Sequence, residues 1–592
     1  MTDQVRSLAD EVSAAVSAAM AAALPVELAG EDPLVRRSDR ADFQSNVALS
    51  LAKRVGQAPR DLAATLSDHV STAPFVASVE VSGPGFLNII LSDTVLLERL
   101  SARLEDPHLG VSRTQESQRV VVDYSGPNVA KEMHVGHLRS TLIGDALVRI
   151  LGHLGAEVVR QNHVGDWGTQ FGMLIQHIFE HPEQPWRSAD VEQALTGTAV
   201  SALDALYRAA RARFDADPAF KERAQQRVVA LQAGDDETVS AWREIVAESE
   251  EAFQRIYKRL GVLLTPDDVA GESFYNPRLQ DVVDELRTKG VLVESEGALC
   301  VFFDDVRGPD DKPTPLLVQK RDGGFGYAAT DLAAIRYRTQ ELKANRLLYV
   351  VDARQSQHFD MVFRTAARAG WLTDSVEPVH VQNGTINGPD GRPFKTRSGG
   401  TVRLADLLDD ALRRAREVVA EKDPSVSADL LDATAEIASV GAVKYAELST
   451  SRTRDYAFDV SRMVSFSGQT GVYLQYTHTR IASILRKAHE AAADDYRFLP
   501  GLTLQPAERE LALLLDEFSA TLNAVASTLE PHRLAGYLYE LATAYTYFYE
   551  SCPVLKADSA EVRANRLALC RLTGATLAQG LGLLGITAPS RM

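Results

Sequence analysis

Read from the N-terminus, the apolar positions change period several times, and each change marks an element. Residues 1–25, MTDQVRSLADEVSAAVSAAMAAALP, are apolar on one side only and predict an amphipathic helix. FVASVEVSG and GFLNIILS predict short strands around the turn GPG, so residues 1–110 are expected to form a small α+β module. Between 119 and 163 the order is strand, helix, strand: RVVVDYS, HLRSTLIGDALVRILGHLG and EVVRQNHVG. Such a βαβ unit implies parallel strands joined by a right-handed crossover.

From about 175 to 260 the spacing is helical and acidic, as in DDETVSAWREIVAESEEAFQRIYKRLG, which predicts a helical insertion between two halves of a sheet. ALCVFF, RLLYVV and PVHVQNG return to strand-like runs, and FDMVFRTAARAG after the second completes a pattern like another βαβ half. Beyond residue 420 the apolar spacing is helical almost to Met592. The expected fold is multidomain α/β: the module at 1–110, a Rossmann-like domain at 111–420 carrying the insertion, and an all-α domain at 421–592.

A chain of 592 residues is too long for one core, which agrees with several domains. Its 45% apolar and 24% charged residues give no sign of bulk disorder. The net charge of -17 argues against a nucleic-acid partner only if charge is spread evenly, and SRTRD at 451–455 and RANRLALCR at 563–571 are local basic stretches. Cys300, Cys552 and Cys570 lie far apart without a C-x-x-C pair, so neither a disulfide framework nor a zinc site is expected, and a reducing cytoplasm fits. The N-terminus lacks the basic start and clean apolar stretch of a signal peptide, and no run has the length of a membrane span.

SGPNVAKEMHVGHLRSTLIGDA, residues 125–146, joins the first strand of the βαβ unit to its helix. Ligands of open parallel sheets bind at the carboxyl ends of strands, where a helix N-terminus offers free N–H groups to an anion. His134 and His137 stand there with Gly136 between them, a residue without a side chain to block a base or ribose. Two readings are open for the histidines: they cap the helix, or they donate to phosphate oxygens.

Agreement among distant segments decides more than the histidines alone. PNVAKEMHVGHLRST, GDWGTQFG, YAATDLAA, YVVDARQSQHF, PFKTRSGGTVRLADLL, LQYTHTRIASILRK and the terminal LGLLGITAPSRM together resemble the arginyl-tRNA synthetase family of class I aminoacyl-tRNA synthetases. With DFQSNVALSLAK and GPGFLNI, the resemblance covers the whole chain. It implies ATP-dependent activation of arginine to arginyl-adenylate and transfer to the 3′ end of the cognate tRNA. ATP is then a substrate with Mg2+, and no zinc or other bound metal is expected. The chain is expected to act as a monomer in the cytoplasm, with no membrane partner.

A guanidinium is planar, forked and permanently charged, so its pocket needs carboxylates held in a plane. The resemblance carries Glu272, Tyr327, Asp331 and Gln355 to arginine binding, with Gln357 an equal candidate by residue type, and Ser125 and Asn128 to the substrate's amino and carboxylate ends. Tyr327 and Asp331 are four apart and share a helix face, whereas Glu272 is read as a loop residue. Trp167, Gly168 and Gln170 also match, either as core or as site. His134, Gly136 and His137 are carried to ATP.

Class I enzymes generally have a K-M-S-K-S loop; here it reads Lys395, Thr396, Arg397, Ser398, Gly399, with Lys395 kept for ATP and catalysis and the second lysine missing. Lys131, just upstream of the histidines, matches the lysine that accompanies such loops and is expected to act on the phosphates from the other side. The N-terminal module is expected to contact tRNA through Phe43 and Asn46. The C-terminal aromatic run, Tyr537, Tyr539, Tyr545, Tyr547, Phe548 and Tyr549, offers either stacking on anticodon bases, with Tyr545 and Tyr549 as candidates, or core packing. Alternatives are a catalytically inactive tRNA-binding paralogue, which should have lost the histidines or acids, and another class I synthetase, against which the paired acids argue.

Overall fold

The computed structural model describes residues 7–187, 199–308, 311–388, 391–392, 402–422, 424 and 427–592. Lys395 and the Thr396–Gly399 positions lie outside the described residues.

The N-terminal helix Leu8–Ala23 buries Leu8, Val12, Val16, Ala19 and Met20, one stripe at three- and four-residue spacing. A four-stranded antiparallel sheet follows, in the order Val35–Arg37, Phe43–Ser45, Phe86–Leu91, Val76–Ser82. The two outer sequence expectations are the last two of these strands. The first two hold three residues each, too few for a period-2 pattern to show.

The parallel sheet has the spatial order Glu377–His380, Arg346–Tyr349, Arg119–Asp123, Glu157–Gln161. Its two inner strands are almost wholly buried, which is why they read as unbroken apolar runs. ALCVFF is not among them, contrary to expectation: Ala298–Val301 pairs antiparallel with Val293–Ser295 and Leu316–Gln319 in a separate three-stranded sheet. The cause is local. Ser295 faces Ala298 across Glu296 and Gly297, at φ 51° and 80°, a two-residue turn that can only reverse the chain.

The helices Thr169–Glu180, Ala199–Ala216, Pro218–Ala233 and Asp236–Leu260 fill the acidic stretch, and Asp217 and Asp235 cap the last two. The C-terminal portion packs the long helices Ala428–Leu448, Gly471–Glu490, His532–Ser551 and Ala560–Leu583 around a shared apolar core.

Buried ion pairs join these parts. The sheet-crossing helix Val135–His153 meets Ala428–Leu448 through Arg139 and Glu447, 2.6 Å apart and both essentially without solvent exposure. Six residues on, Asp145 accepts the Leu263 N–H (2.7 Å) and lies 3.9 Å from the ammonium of Lys444, which donates to the Leu260 carbonyl (2.8 Å). Burial pushes the Lys444 pKa down to about 8. At the other end Arg103 and Asp516, again both buried, pair at 2.6 Å while Asp516 also accepts the Leu8 N–H at 2.7 Å. Arg509 is held by Asp42 and Asp93.

Candidate functional site

The site assembles at the carboxyl ends of the parallel strands. After Arg119–Asp123 the chain turns through Ser125 and Ala130, both at positive φ (75° and 63°), and enters the helix at His134. Nδ1 of His134 accepts the Gly136 N–H, and Nδ1 of His137 accepts the His134 N–H, each at 3.1 Å. The rings stack with centroids 3.9 Å apart. A side chain at Gly136 would meet the His134 ring at 2.9 Å, so the glycine first serves the cap itself.

Burial lowers the His134 pKa, reinforced by Lys131 and Arg354, and burial beside His134 pushes His137 down to about 3. Both rings are therefore neutral near pH 7, and because each Nδ1 accepts, the single ring proton is on Nε2. Capping and phosphate binding are thus compatible: one nitrogen holds the helix start, and the other is an N–H donor. Lys131 is partly buried, with its ammonium 4.6 Å from the Tyr207 ring centroid of the helical insertion. The chain from Val402 runs beside the histidines, where Val135 donates to the Val402 carbonyl (3.1 Å) and Leu404 to that of Met133 (2.9 Å).

Glu272, with Asp166 and Asp331 acting on it, forms an acidic bank. Glu272 opens the short helix Glu272–Tyr275, a correction to its reading as a loop residue, and donates its N–H to the Val164 carbonyl (3.1 Å). The turn is fixed by Asp166, whose carboxylate accepts the N–H of Ser273 (2.8 Å) and its hydroxyl (2.5 Å). Gly271 allows this closeness, since a Cβ there would sit 2.7 Å from the Asp166 carboxylate. Trp167 packs edge-on against Trp242, which donates to the Asp166 carbonyl (2.8 Å). Burial pushes Glu272 up to about 7, with Asp166 and then Asp331 raising it further and the Trp167 backbone opposing. Asp166 is raised too, chiefly by burial.

Asp331 stands on the helix Tyr327–Gln340, partly buried, with Oδ2 2.6 Å from Nε2 of His358. Tyr327, at the first helical position, is 78% exposed, so the shared face does not give the two residues a shared environment. Gln355 ends the turn Ala353–Gln355 beyond the Arg346–Tyr349 strand; it and Gln357 are exposed. Asn128 is exposed and bridges to Gly165, where its Oδ1 would lie 2.5 Å from a Cβ. Asp166 and His358 carry no signal of their own in sequence, although both stand inside segments that bear the resemblance, GDWGTQFG and YVVDARQSQHF.

Three expectations are corrected. Ser125 is buried, and its hydroxyl is taken up by Tyr257 (2.7 Å) and Thr141 (2.8 Å), so it braces the loop from inside. Phe43 is buried because its strand alternates inward at Phe43 and Ser45. Tyr545 is fully buried with its hydroxyl 3.6 Å from the Cys570 sulfur, on the inward stripe shared with Tyr537, Leu541 and Phe548. The outward face carries Tyr547 and Tyr549, the latter 5.5 Å under the Arg480 guanidinium. Asn46 is partly buried just before the helix Val47–Val55. Among the described residues no cluster of three or more His, Cys, Asp or Glu could hold a metal, and no helix is long and apolar enough to cross a membrane.

Three family models match successive parts of the chain: the arginyl tRNA synthetase N terminal domain over residues 7–91, the class I (R) tRNA synthetase catalytic domain over 99–460, and the DALR anticodon binding domain over 474–592. An arginine–tRNA ligase of Frankia casuarinae is 63% identical over 597 residues, covering all of both chains. The crystal structure of arginyl-tRNA synthetase from Plasmodium falciparum superposes with a TM-score of 0.81 at 27% identity, covering 99% of each chain. The Thermus thermophilus arginyl-tRNA synthetase gives 0.77 at 26% identity, over 99% of this chain and 100% of that one.

Proposed function

The chain belongs to the arginyl-tRNA synthetase family of class I synthetases, and from that premise we propose how its residues divide the work of charging tRNA with arginine. It is an ATP-dependent ligase. In the first half-reaction the arginine carboxylate attacks the α-phosphorus of ATP, forming arginyl-adenylate and releasing pyrophosphate. In the second, a hydroxyl of the tRNA's terminal ribose takes the arginyl group and AMP leaves.

What supports this reading is that two neutral histidines cap the helix that follows one strand of the sheet, while Asp166, and Glu272 whose pKa it raises, stand on and beside the segment that pairs with Asn128 and Val129 just before that helix. The Nε2–H groups of His134 and His137 donate to phosphate oxygens without presenting a charge that must be desolvated. Lys131 supplies one cation to the phosphates, and Lys395 is assigned to ATP and catalysis as the resemblance implies. Glu272 and Asp331 take the guanidinium, the acidic bank being electrostatically incomplete until a cation arrives. Tyr327, exposed at the start of the Asp331 helix, is available to an arriving substrate, while Asn128 and Gln355 serve the amino and carboxylate ends.

Mg2+ enters with ATP as part of that substrate. The C-terminal helices offer Tyr547, Tyr549 and Arg480 to unpaired tRNA bases, and Asn46 is the remaining candidate in the N-terminal module. The chain acts as a monomer in the cytoplasm. An inactive paralogue is not favoured, since His134, His137, Glu272 and Asp331 are all present. Arginine-dependent ATP–pyrophosphate exchange with tRNA supplied tests the assignment: exchange with arginine but not lysine is expected, and no exchange would refute it.

A further inference from the structure

Asp331 is engaged before any substrate arrives. His358 comes from a different helix, Ser356–Arg368, and reaches across to place Nε2 2.6 Å from Oδ2 of Asp331. A carboxylate only accepts, so Nε2 carries the proton. The imidazole stands on that helix edge-on to its chain neighbour Phe359, with centroids 5.5 Å apart, and Phe359 is buried against Tyr349 at 5.0 Å. A charge-assisted hydrogen bond from this ring removes the freedom that an aspartate otherwise has about its last torsion, which is broad and nearly two-fold.

That freedom matters for this substrate. A guanidinium offers two parallel N–H groups in one plane, and a carboxylate matches them only when its own plane is set; an ammonium has no such requirement. Each carboxylate oxygen has two lone pairs, so Oδ2 can serve His358 and still face the substrate beside Oδ1. We propose that His358 is a positioning residue for arginine recognition, holding Oδ2 of Asp331 and thereby setting the plane that this carboxylate presents to the guanidinium. The inference rests on the assignment of Asp331 to arginine binding. Burial opposes charge on His358, yet the hydrogen bond and field of Asp331 prevail and raise its pKa, in keeping with a donor kept protonated.

The test is exchange kinetics with tRNA present, on the full chain, for His358→Phe, His358→Gln, Asp331→Asn and the double variant His358→Phe/Asp331→Asn. His358→Phe should raise the arginine KM about tenfold, the value of one hydrogen bond to a charged group, with kcat within about twofold and the ATP KM unchanged. His358→Gln, whose amide can donate to the same oxygen, should recover most of that loss. Competition by lysine should gain on arginine in His358→Phe. The double variant should match Asp331→Asn alone, because a positioning residue has nothing left to position. If Asp331→Asn raises the arginine KM but His358→Phe does not, the proposal fails while the pocket stands. An additive double variant, or a Gln variant no better than Phe, overturns it equally. An unchanged arginine KM in Asp331→Asn would sink the pocket itself. Should His358→Phe not fold, His358→Ala makes the same comparison without added bulk.

Discussion

Glu272 gives the sharpest prediction, because its environment ties arginine binding to a proton. In the empty pocket its pKa is pushed up to about 7 from an ordinary 4.5, first by burial and then by Asp166 and Asp331. A raised carboxyl favours its neutral form in the folded protein, so this group's contribution to folding is present below pH 4.5 and is lost as pH rises through 7. A bound guanidinium has the opposite preference and needs the carboxylate ionised. At pH 8 about nine-tenths of Glu272 is ionised in the empty site, and at pH 6 about one-tenth. The arginine KM should therefore rise about tenfold from pH 8 to pH 6, and the thermal stabilisation by arginine should shrink over the same interval. Glu272→Gln keeps the shape without the titration: its KM at pH 8 should be higher and its pH slope shallower. His358 also titrates near the pocket, with a raised pKa, so the comparison with Glu272→Gln isolates the glutamate. His137, at about 3, does not titrate in this range. Exchange kinetics with varied arginine and saturating ATP measure all of this. A slope in Glu272→Gln as steep as in the parent, or a parent KM flat between pH 6 and 8, refutes the reasoning.

Asp331→Asn should lower kcat/KM for arginine by roughly 10²–10⁴-fold, since a buried guanidinium left without its ionic partner costs about 3–5 kcal/mol, with the ATP KM little altered. Lys131→Ala should slow exchange roughly 10²–10³-fold while arginine binding by calorimetry stays near normal, because the charge acts mainly on the transition state; normal exchange would leave Lys131 as no more than a partner of Tyr207. Arg103→Ala should destabilise the protein by about 3–5 kcal/mol, because Asp516 would remain buried and unpaired, and a urea midpoint unchanged from the parent would contradict that.

Much of the catalytic framework was legible because its two inner strands are buried on both faces and its helices are long, so period alone separated them. Failures arose where a few residues decide: the three-residue strands fall below any window, and the Glu296–Gly297 turn converts an expected crossover strand into a hairpin. At the site, residue type identified the histidines and acids, but not which atoms were already engaged. The Ser125 hydroxyl is taken up by Tyr257, 132 positions away, a contact no local pattern encodes. The same holds for Asp166 with Ser273 and Asp331 with His358, whose partners lie 107 and 27 positions off. In the aromatic helix, spacing did carry the answer: Tyr545 lies four residues after Leu541 on the inward stripe, and Tyr547 and Tyr549 point away.

The pairing of Arg139 with Glu447, deep between the histidine-bearing helix and the C-terminal helices, also bears on how this gene can change. A lineage that altered either position alone would pass through a protein with one stranded charge in its interior, so the two codons are expected to drift jointly or not at all. Asp145 and Lys444 add a second lock a few residues away on the same two helices. Recombination between distant relatives near residue 420 would inherit one half of each lock from each parent. Such chimeras should fold when the parents match at all four positions and fail when they do not.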